Sequence, residues 1–427
     1  MIKEKTSFGG ILMKLILIGA GNRGMTYAAW AHSHGMEIAA LAEPRPDRRE
    51  AAAQALGVAP ERCYDRGEAL LALEKMADAA IIASMDRDHY GHVMAALDRG
   101  YDILLEKPIS PDPKECLEIE AKANALGRKV TVCHVLRYTN FFGKIKEVLD
   151  SGELGKIVAI KHSENIGSFH MAHSFVRGNW RNDRLSSPII LQKSCHDLDI
   201  LLWLTNAHCE KVAAFGSLDY FKAANAPEGA AQRCCDCSVE GCRYRAMDVY
   251  LPTLGQWPTE VVCLEQTPGA LEEALKTGPY GRCVFHCDNN VCDHMSMILQ
   301  FDDGVTATFS LTAQTGAVHR NIHIMCRHGE ILADDAMRTI EVRKFPASPA
   351  DTFETRTIHI RTNASGHGGG DAGIMEDFTA SIAQTGESRS SVSRSVESHI
   401  MAAAMEHSRL TGKVIDLDTY RASLTEN

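Results

Sequence analysis

Lys14-Leu15-Ile16-Leu17-Ile18-Gly19-Ala20-Gly21-Asn22-Arg23-Gly24 joins an apolar, β-rich run directly to a glycine turn, and a helical pattern starts at Arg23. The first glycine of such a turn permits the tight reversal. The second lets a pyrophosphate approach the backbone, and the third allows the helix to pack closely on its strand. Amides at the helix start then offer a seat for phosphate oxygens. Glu43 ends the second strand, 19 residues after Gly24. Its carboxylate can accept both ribose hydroxyls and repel a 2′-phosphate, which favours NAD over NADP. Arg45 and Arg48 work against that preference, because either can face a phosphate. The residues expected to hold the dinucleotide are Gly19, Gly21, Asn22, Arg23, Gly24, Glu43 and Arg45, with Glu106 and Lys107 further along the chain.

Working outward, strand patterns at Lys14–Ile18, Ile38–Ala42, Ala79–Ser84, Asp102–Leu105 and Lys129–Cys133 alternate with helical ones. The helical patterns cover Arg23–His34, Pro46–Leu56, Tyr90–Arg99 and Pro113–Leu126. Apolar strands in alternation with helices imply a parallel sheet covered on both faces. Residues 13–137 therefore read as a doubly wound dinucleotide-binding domain behind a loose extension, residues 1–12. After Arg137 the pattern changes. A helix over Phe141–Ser151, a strand over Lys156–Asn165, an irregular polar stretch over Ile166–Ser187 and a helix over Ile189–Leu204 come first. Strand candidates follow at His294–Phe301, Thr306–Gln314, Asn321–Cys326, Thr339–Lys344 and Glu354–Ile360, joined by short turns such as Asp302-Asp303-Gly304. That succession favours an antiparallel sheet. Helices over Asp371–Thr385 and Ser391–Thr411 close the chain. The expected class is α/β, with a second domain over 138–427 built on a mostly antiparallel open sheet.

The 427 residues are 45% hydrophobic and 23% charged, enough for a sizeable core. A net charge of −10 argues against nucleic acid as a partner. No apolar run approaches the roughly 18 residues that cross a bilayer. The first residues lack the pattern of a secretion signal, so a cytoplasmic protein is expected.

Eight of the 14 cysteines lie between Cys234 and Cys292, inside a Gly- and Pro-rich insertion spanning about 221–292. Cys234 and Cys237 are spaced C-x₂-C, Cys242 follows, and Cys283 or Cys287 can complete a quartet. Four thiolates suit tetrahedral zinc and leave no open position for water, so such a site would be structural. It would staple a loop that has little core of its own.

Glu106-Lys107-Pro108 closes the fourth strand, at the carboxyl ends where ligands of wound sheets bind. A lysine beside a cationic nicotinamide ring has its charged form disfavoured, which suits it to proton transfer with a substrate hydroxyl. The Gly19–Gly24 turn, Glu106-Lys107-Pro108 and His196-Asp197-Leu198-Asp199 together resemble the Gfo/Idh/MocA oxidoreductases, relatives of glucose–fructose oxidoreductase and inositol dehydrogenase. The resemblance covers about residues 13–412. It implies a Rossmann domain, a C-terminal α/β domain whose open sheet often mediates oligomers, a nicotinamide cofactor, and sugar or polyol substrates. By the same resemblance Lys107, beside Glu106, stands between substrate and cofactor, and His196 acts in proton transfer. One position departs from the pattern. Where relatives commonly carry an aspartate one turn before the histidine, this chain has Gln192, which can hydrogen-bond but not hold a charge. Proton handling then falls to His196 with Lys107, or recruits Lys193.

Further polar side chains suit a carbohydrate: Arg137, Tyr138, Asn165, His170, Arg177, Trp180 and His367, together with Gln192. The expected activity is NAD-dependent hydride transfer from a sugar, glycoside or polyol hydroxyl, in a homo-oligomer (dimer or tetramer). An alternative is an NAD-dependent glycoside hydrolase working by transient oxidation, elimination and re-reduction.

Overall fold

Leu15 to Ile18 and all of Ala79–Ile82 are buried, as strands covered on both faces must be. In the computed structural model, which describes residues 13–361, 366–383 and 386–425, they belong to a six-stranded sheet. Its strands are β1 (Lys14–Ile18), β2 (Glu37–Ala42), β3 (Cys63–Tyr64), β4 (Ala79–Ile82), β5 (Asp102–Leu105) and β6 (Val130–Val132). Their order is β3-β2-β1-β4-β5-β6 and every neighbouring pair is parallel. The chain reverses its winding direction beside β1, the switch point where ligands of such sheets bind.

The described residues form two units, 13–139 with 366–396, and 140–361 with 397–425. The expected boundary gave everything after 137 to the second domain, whereas the returning residues 366–396 group with the first unit. The returning helix Gly370–Ala383 sets Ile374, Met375 and Phe378 into one core with Leu15, Leu17 and Tyr27. Its apolar spacing announces that the helix is covered but not by what. Two-residue β3 and the short helix Gly67–Leu71 also escaped the sequence reading.

The second unit is built on a nine-stranded sheet. Its strands are β7 (Ile157–Asn165), β8 (Cys209–Ser217), β9 (His294–Phe301), β10 (Thr306–Thr312), β11 (His319–Cys326), β12 (Gly329–Asp334), β13 (Thr339–Lys344), β14 (Glu354–His359) and β15 (Ile415–Asp416). The order is β14-β13-β12-β11-β7-β10-β9-β8-β15, and only β7 and β10 run parallel. The antiparallel expectation holds, while β8, β12 and β15 were not foreseen. The helix expected over Ile189–Leu204 is two helices, Ile189–Gln192 and Cys195–Thr205, broken at Lys193-Ser194 without a glycine or proline to mark it. The stretch expected to be irregular contains a wide helical turn, Met171–Arg177, in which every residue is buried.

The Cys-rich insertion does have a small core, Ala246, Tyr250, Leu271 and Leu275. Beside it His173 stacks on Tyr280 at 4.7 Å and lies 3.0 Å from the Tyr250 hydroxyl. Burial, and then the charge of Arg177, push its pKa down to about 3. Between that value and the ordinary ~6.5 of a free histidine, the unfolded chain binds a proton that the folded one refuses. Stability is therefore lost as pH falls through this window. His173→Phe should flatten the dependence, so its urea midpoint should drop less than wild type's between pH 7 and pH 5. Equal drops would show that His173 does not control it.

Candidate active site

The first unit carries the dinucleotide features. Gly19 has φ +88°, and a side chain there would collide with the Ala83 carbonyl, while one at Gly24 would strike the carbonyl of Gly19. Both positions admit only hydrogen, the shape of a cradle that brings phosphate to bare backbone. Asn22 opens the helix Asn22–Ser33 directly after Gly21. Glu43 is buried, and its two oxygens accept separate amides, Ala20 N–H at 2.9 Å and Arg45 N–H at 3.1 Å. A carboxylate oxygen so held keeps a lone pair for a ribose hydroxyl. Arg45 contributes its amide, whereas its guanidinium is paired with Asp47 at the surface. Arg48 is the cation that approaches the turn, with Nη1 3.8 Å from where a Gly21 Cβ would stand.

Arg23, expected at the dinucleotide, belongs to an ion network. Its guanidinium turns inward, donating to Glu106 Oε1 (2.9 Å), to Asp371 Oδ1 (2.6 Å) and Oδ2 (3.1 Å), and to the Tyr27 hydroxyl. It ties the start of the helix to Glu106 and Asp371. Tyr27 also donates to Glu106 Oε1 at 2.7 Å, and Lys107 N–H to Glu106 Oε2 at 2.9 Å. Burial pushes Glu106 upward, but the charges of Arg23 and Lys107 outweigh it and hold the carboxyl below its usual range. Asp371 behaves likewise, with His367 and Arg23 outweighing its burial. His367 is thus engaged with Asp371, Nδ1 to Oδ1 3.1 Å, on a loop at φ +49°. The Lys107 backbone is fixed by a buried, ionised network.

In the second unit, His196 and Gln192 are buried and Lys193 lies at the break between the two helices. The Lys193 ammonium stands 3.2 Å from Glu164 Oε1, on β7. Alternation along β7 sends Ile160, His162 and Glu164 to the buried face. There Asp197, at the first turn of Cys195–Thr205, accepts from His162 Nε2 (2.7 Å), Arg320 Nε (2.7 Å) and Arg320 Nη2 (3.2 Å). Arg320 also pairs with Glu164. Burial resists ionisation of Asp197, yet Arg320 and His162 carry it well below the carboxylate range. Burial pushes Glu164 the other way, upward, against the pull of Arg320 and Lys193. Asp197, Glu164, His162 and Arg320 were not singled out from sequence; the only signal was Asp197's place in the His196-Asp197 segment.

The expected substrate residues divide. Tyr138 donates to Asp377 and shares a contact with Ser390 (2.9 Å each), and Arg137 donates to the Arg389 carbonyl at 2.8 Å. These bonds tie the returning segment into the first unit. Arg177 is buried, donating to the carbonyls of Arg282 and Tyr244 at 2.7 Å each. It too is an internal strut. Asn165 reaches His319 Nε2 at 3.2 Å, and His170 packs edge-on to Trp257 at 5.0 Å. The Trp180 indole N–H, buried, has no hydrogen-bond partner among the described residues. Among those residues no group of three His, Cys, Asp or Glu side chains is set to hold a metal. None of their helices is long and apolar enough to cross a membrane.

Two family models match the chain. One, described as oxidoreductase family, NAD-binding Rossmann fold, covers residues 13–134; the other, oxidoreductase family, C-terminal alpha/beta domain, covers residues 146–417. The oxidoreductase-family protein YteT of Bacillus subtilis is 26% identical over 340 residues, 75% of this chain and 76% of that one. Inositol 2-dehydrogenase 4 of Saccharopolyspora erythraea is 28% identical over 221 residues, 51% of this chain and 60% of its own length. Among solved structures, levoglucosan dehydrogenase in complex with NADH aligns at TM-score 0.70 and 16% identity, covering 95% of this chain and 99% of that one. An Agrobacterium radiobacter oxidoreductase in complex with NAD+, L-tartaric acid and magnesium aligns at 0.68 and 16%, covering 96% and 99%. Identities this low show a shared fold.

Proposed function

The chain belongs to the Gfo/Idh/MocA family of NAD-binding oxidoreductases, and from that premise we propose that it oxidises a CH–OH group of a sugar, glycoside or polyol, with NAD as acceptor. The observation that carries the reading is Glu43, buried and pinned by the Ala20 and Arg45 amides beside a turn that admits only glycine. That cradle fits a pyrophosphate and a ribose with a free 2′-hydroxyl. When bound, NAD supplies the hydride acceptor. Lys107 and His196 take up and return the hydroxyl proton, a service typically contributing about 10²–10⁴-fold to rate. Gln192 hydrogen-bonds a substrate hydroxyl without supplying charge. Lys193, held by Glu164, donates to a hydroxyl oxygen, and the Trp180 N–H is a further donor. The same reading makes the protein a cytoplasmic homo-oligomer. Relatives named inositol 2-dehydrogenase support the substrate class, and nothing favours redox-neutral glycoside cleavage.

A panel of free sugars, polyols and aryl glycosides, followed for both reduced nicotinamide and aglycone release, tests the proposal. Reduced nicotinamide formed in step with substrate consumed is the expected result; aglycone without it would refute net oxidation. Cofactor choice has its own check. Glu43→Gln keeps acceptor capacity but removes the charge that repels a 2′-phosphate, so the ratio of NAD to NADP affinity should fall by about tenfold, ~1.4 kcal/mol. A ratio unchanged in calorimetric titrations would remove Glu43 as the discriminator.

A further inference from the structure

Arg177 is 1% exposed, and no carboxylate pairs with it among the described residues. Its neighbours are two carbonyls and, 3.4 Å from Nη2, the sulfur of Cys234. A buried guanidinium without a counter-charge is costly, and thiols in their neutral form do not supply one. The thiol next to it is one of four that face a single small cavity. Cys234, Cys237, Cys242 and Cys283 line a space of about 20 Å³, with Phe285 and Arg245 completing its wall. All four are free cysteines. They arrive from two separated segments that the backbone joins, through the Arg233–Arg282 bridge and the Cys283 N–H donating to the Gln232 carbonyl at 2.9 Å. Cys234–Asp236 forms a short helical turn that carries Cys234 and Cys237 on one reversal of the chain.

We propose that Cys234, Cys237, Cys242 and Cys283 bind one structural Zn²⁺ ion that locks the insertion and supplies the negative charge facing Arg177. Four thiols lose four protons to the solvent as the ion enters, leaving a centre of net charge −2. The N–H of Arg177 then donates to a thiolate sulfur, a charge-assisted bond in place of a contact with a weak acceptor. The side chains are not yet gathered at ligating distance, so the thiols turn inward by rotation about Cα–Cβ to reach about 2.3 Å from the metal. Cys287 does not line the cavity, and its thiol donates to the Cys283 carbonyl at 3.2 Å. Cys283 is therefore the fourth ligand. The fit to zinc rests on this donor set alone and is independent of the redox reaction, which four closed thiolates cannot enter.

The test uses the full chain made in zinc-supplemented medium and purified without chelator. Elemental analysis should return one zinc per chain, and replacement by Co²⁺ should give the ligand-field and sulfur-to-cobalt bands of a tetrahedral thiolate site. Cys237→Ser and Cys242→Ser should each lose the metal, whereas Cys235→Ser and Cys287→Ser should retain it. Removing zinc should lower the thermal transition of the insertion and leave NAD affinity unchanged, which separates this outcome from failure of the dehydrogenase reading. Absence of zinc after reduced reconstitution would overturn the proposal. So would a Cys234–Cys237 disulfide in fresh protein, iron with acid-labile sulfide, or full retention in Cys237→Ser. Where a variant fails to fold, the metal content and cobalt spectrum of the unmodified protein decide.

Discussion

On the proposed function, Lys107→Ala should lower kcat for alcohol oxidation by about 10²–10⁴-fold, the usual yield of a positioned proton-transfer group, while NAD affinity stays within about threefold. The separation follows from what holds the cofactor site. Gly19, Gly24 and Glu43 form it without the Lys107 side chain, and the link from Lys107 to Glu106 runs through a backbone N–H that alanine keeps. Lys107→Arg is the sharper probe. A guanidinium retains the positive charge but is never deprotonated near neutral pH, so it should not restore the rate at any pH between 6 and 9, unlike a group whose role is only electrostatic. Single-turnover measurements of reduced nicotinamide, set beside calorimetric NAD binding, check both variants. An Ala variant within about tenfold of wild type would remove Lys107 from proton transfer.

Asp197→Ala should cost about 3–5 kcal/mol, because it takes from the buried Arg320 guanidinium the carboxylate it donates to twice. Arg320 donates twice to Asp197 and His162 once, in surroundings where all three side chains are almost inaccessible. At roughly 2–4 °C per kcal/mol for a unit of this size, the second unit's transition should fall by about 10 °C. The pairing with Glu164 offers Arg320 a fallback. A loss below about 1 kcal/mol would show that Glu164 alone suffices. Replacing partners together discriminates further. Asp197→Leu with Arg320→Met removes charge from both sides and should recover part of the loss, since apolar substitutes for a buried ion pair are often neutral. The same cluster fixes Glu164, hence Lys193, so on the proposed function the single variant should also raise KM for the substrate. Urea unfolding of the holoprotein and steady-state kinetics read the two effects separately.

Local chemistry made the first unit legible. A glycine turn has one steric purpose at Gly19 and Gly24, and buried parallel strands must be apolar along their length, so β1, β2, β4 and β5 announced themselves. Helices Pro46–Leu56 and Pro113–Leu126 start at proline and stop at Gly57 and Gly127 in the left-handed region, signals carried by neighbouring residues. Arg23, Arg177 and Tyr138 read from the chain as groups for a ligand, since their chemistry suits phosphate or sugar. Folding turned them inward onto Asp371, Tyr244 and Asp377, partners 348, 67 and 239 residues away. The helix break at Lys193-Ser194 has no local cause in the residue types, and the ion cluster behind it joins β7, β11 and Cys195–Thr205. Periodicity tells which side of an element avoids water. Which partner meets a buried charge depends on long-range approach in space, and that was settled by packing alone.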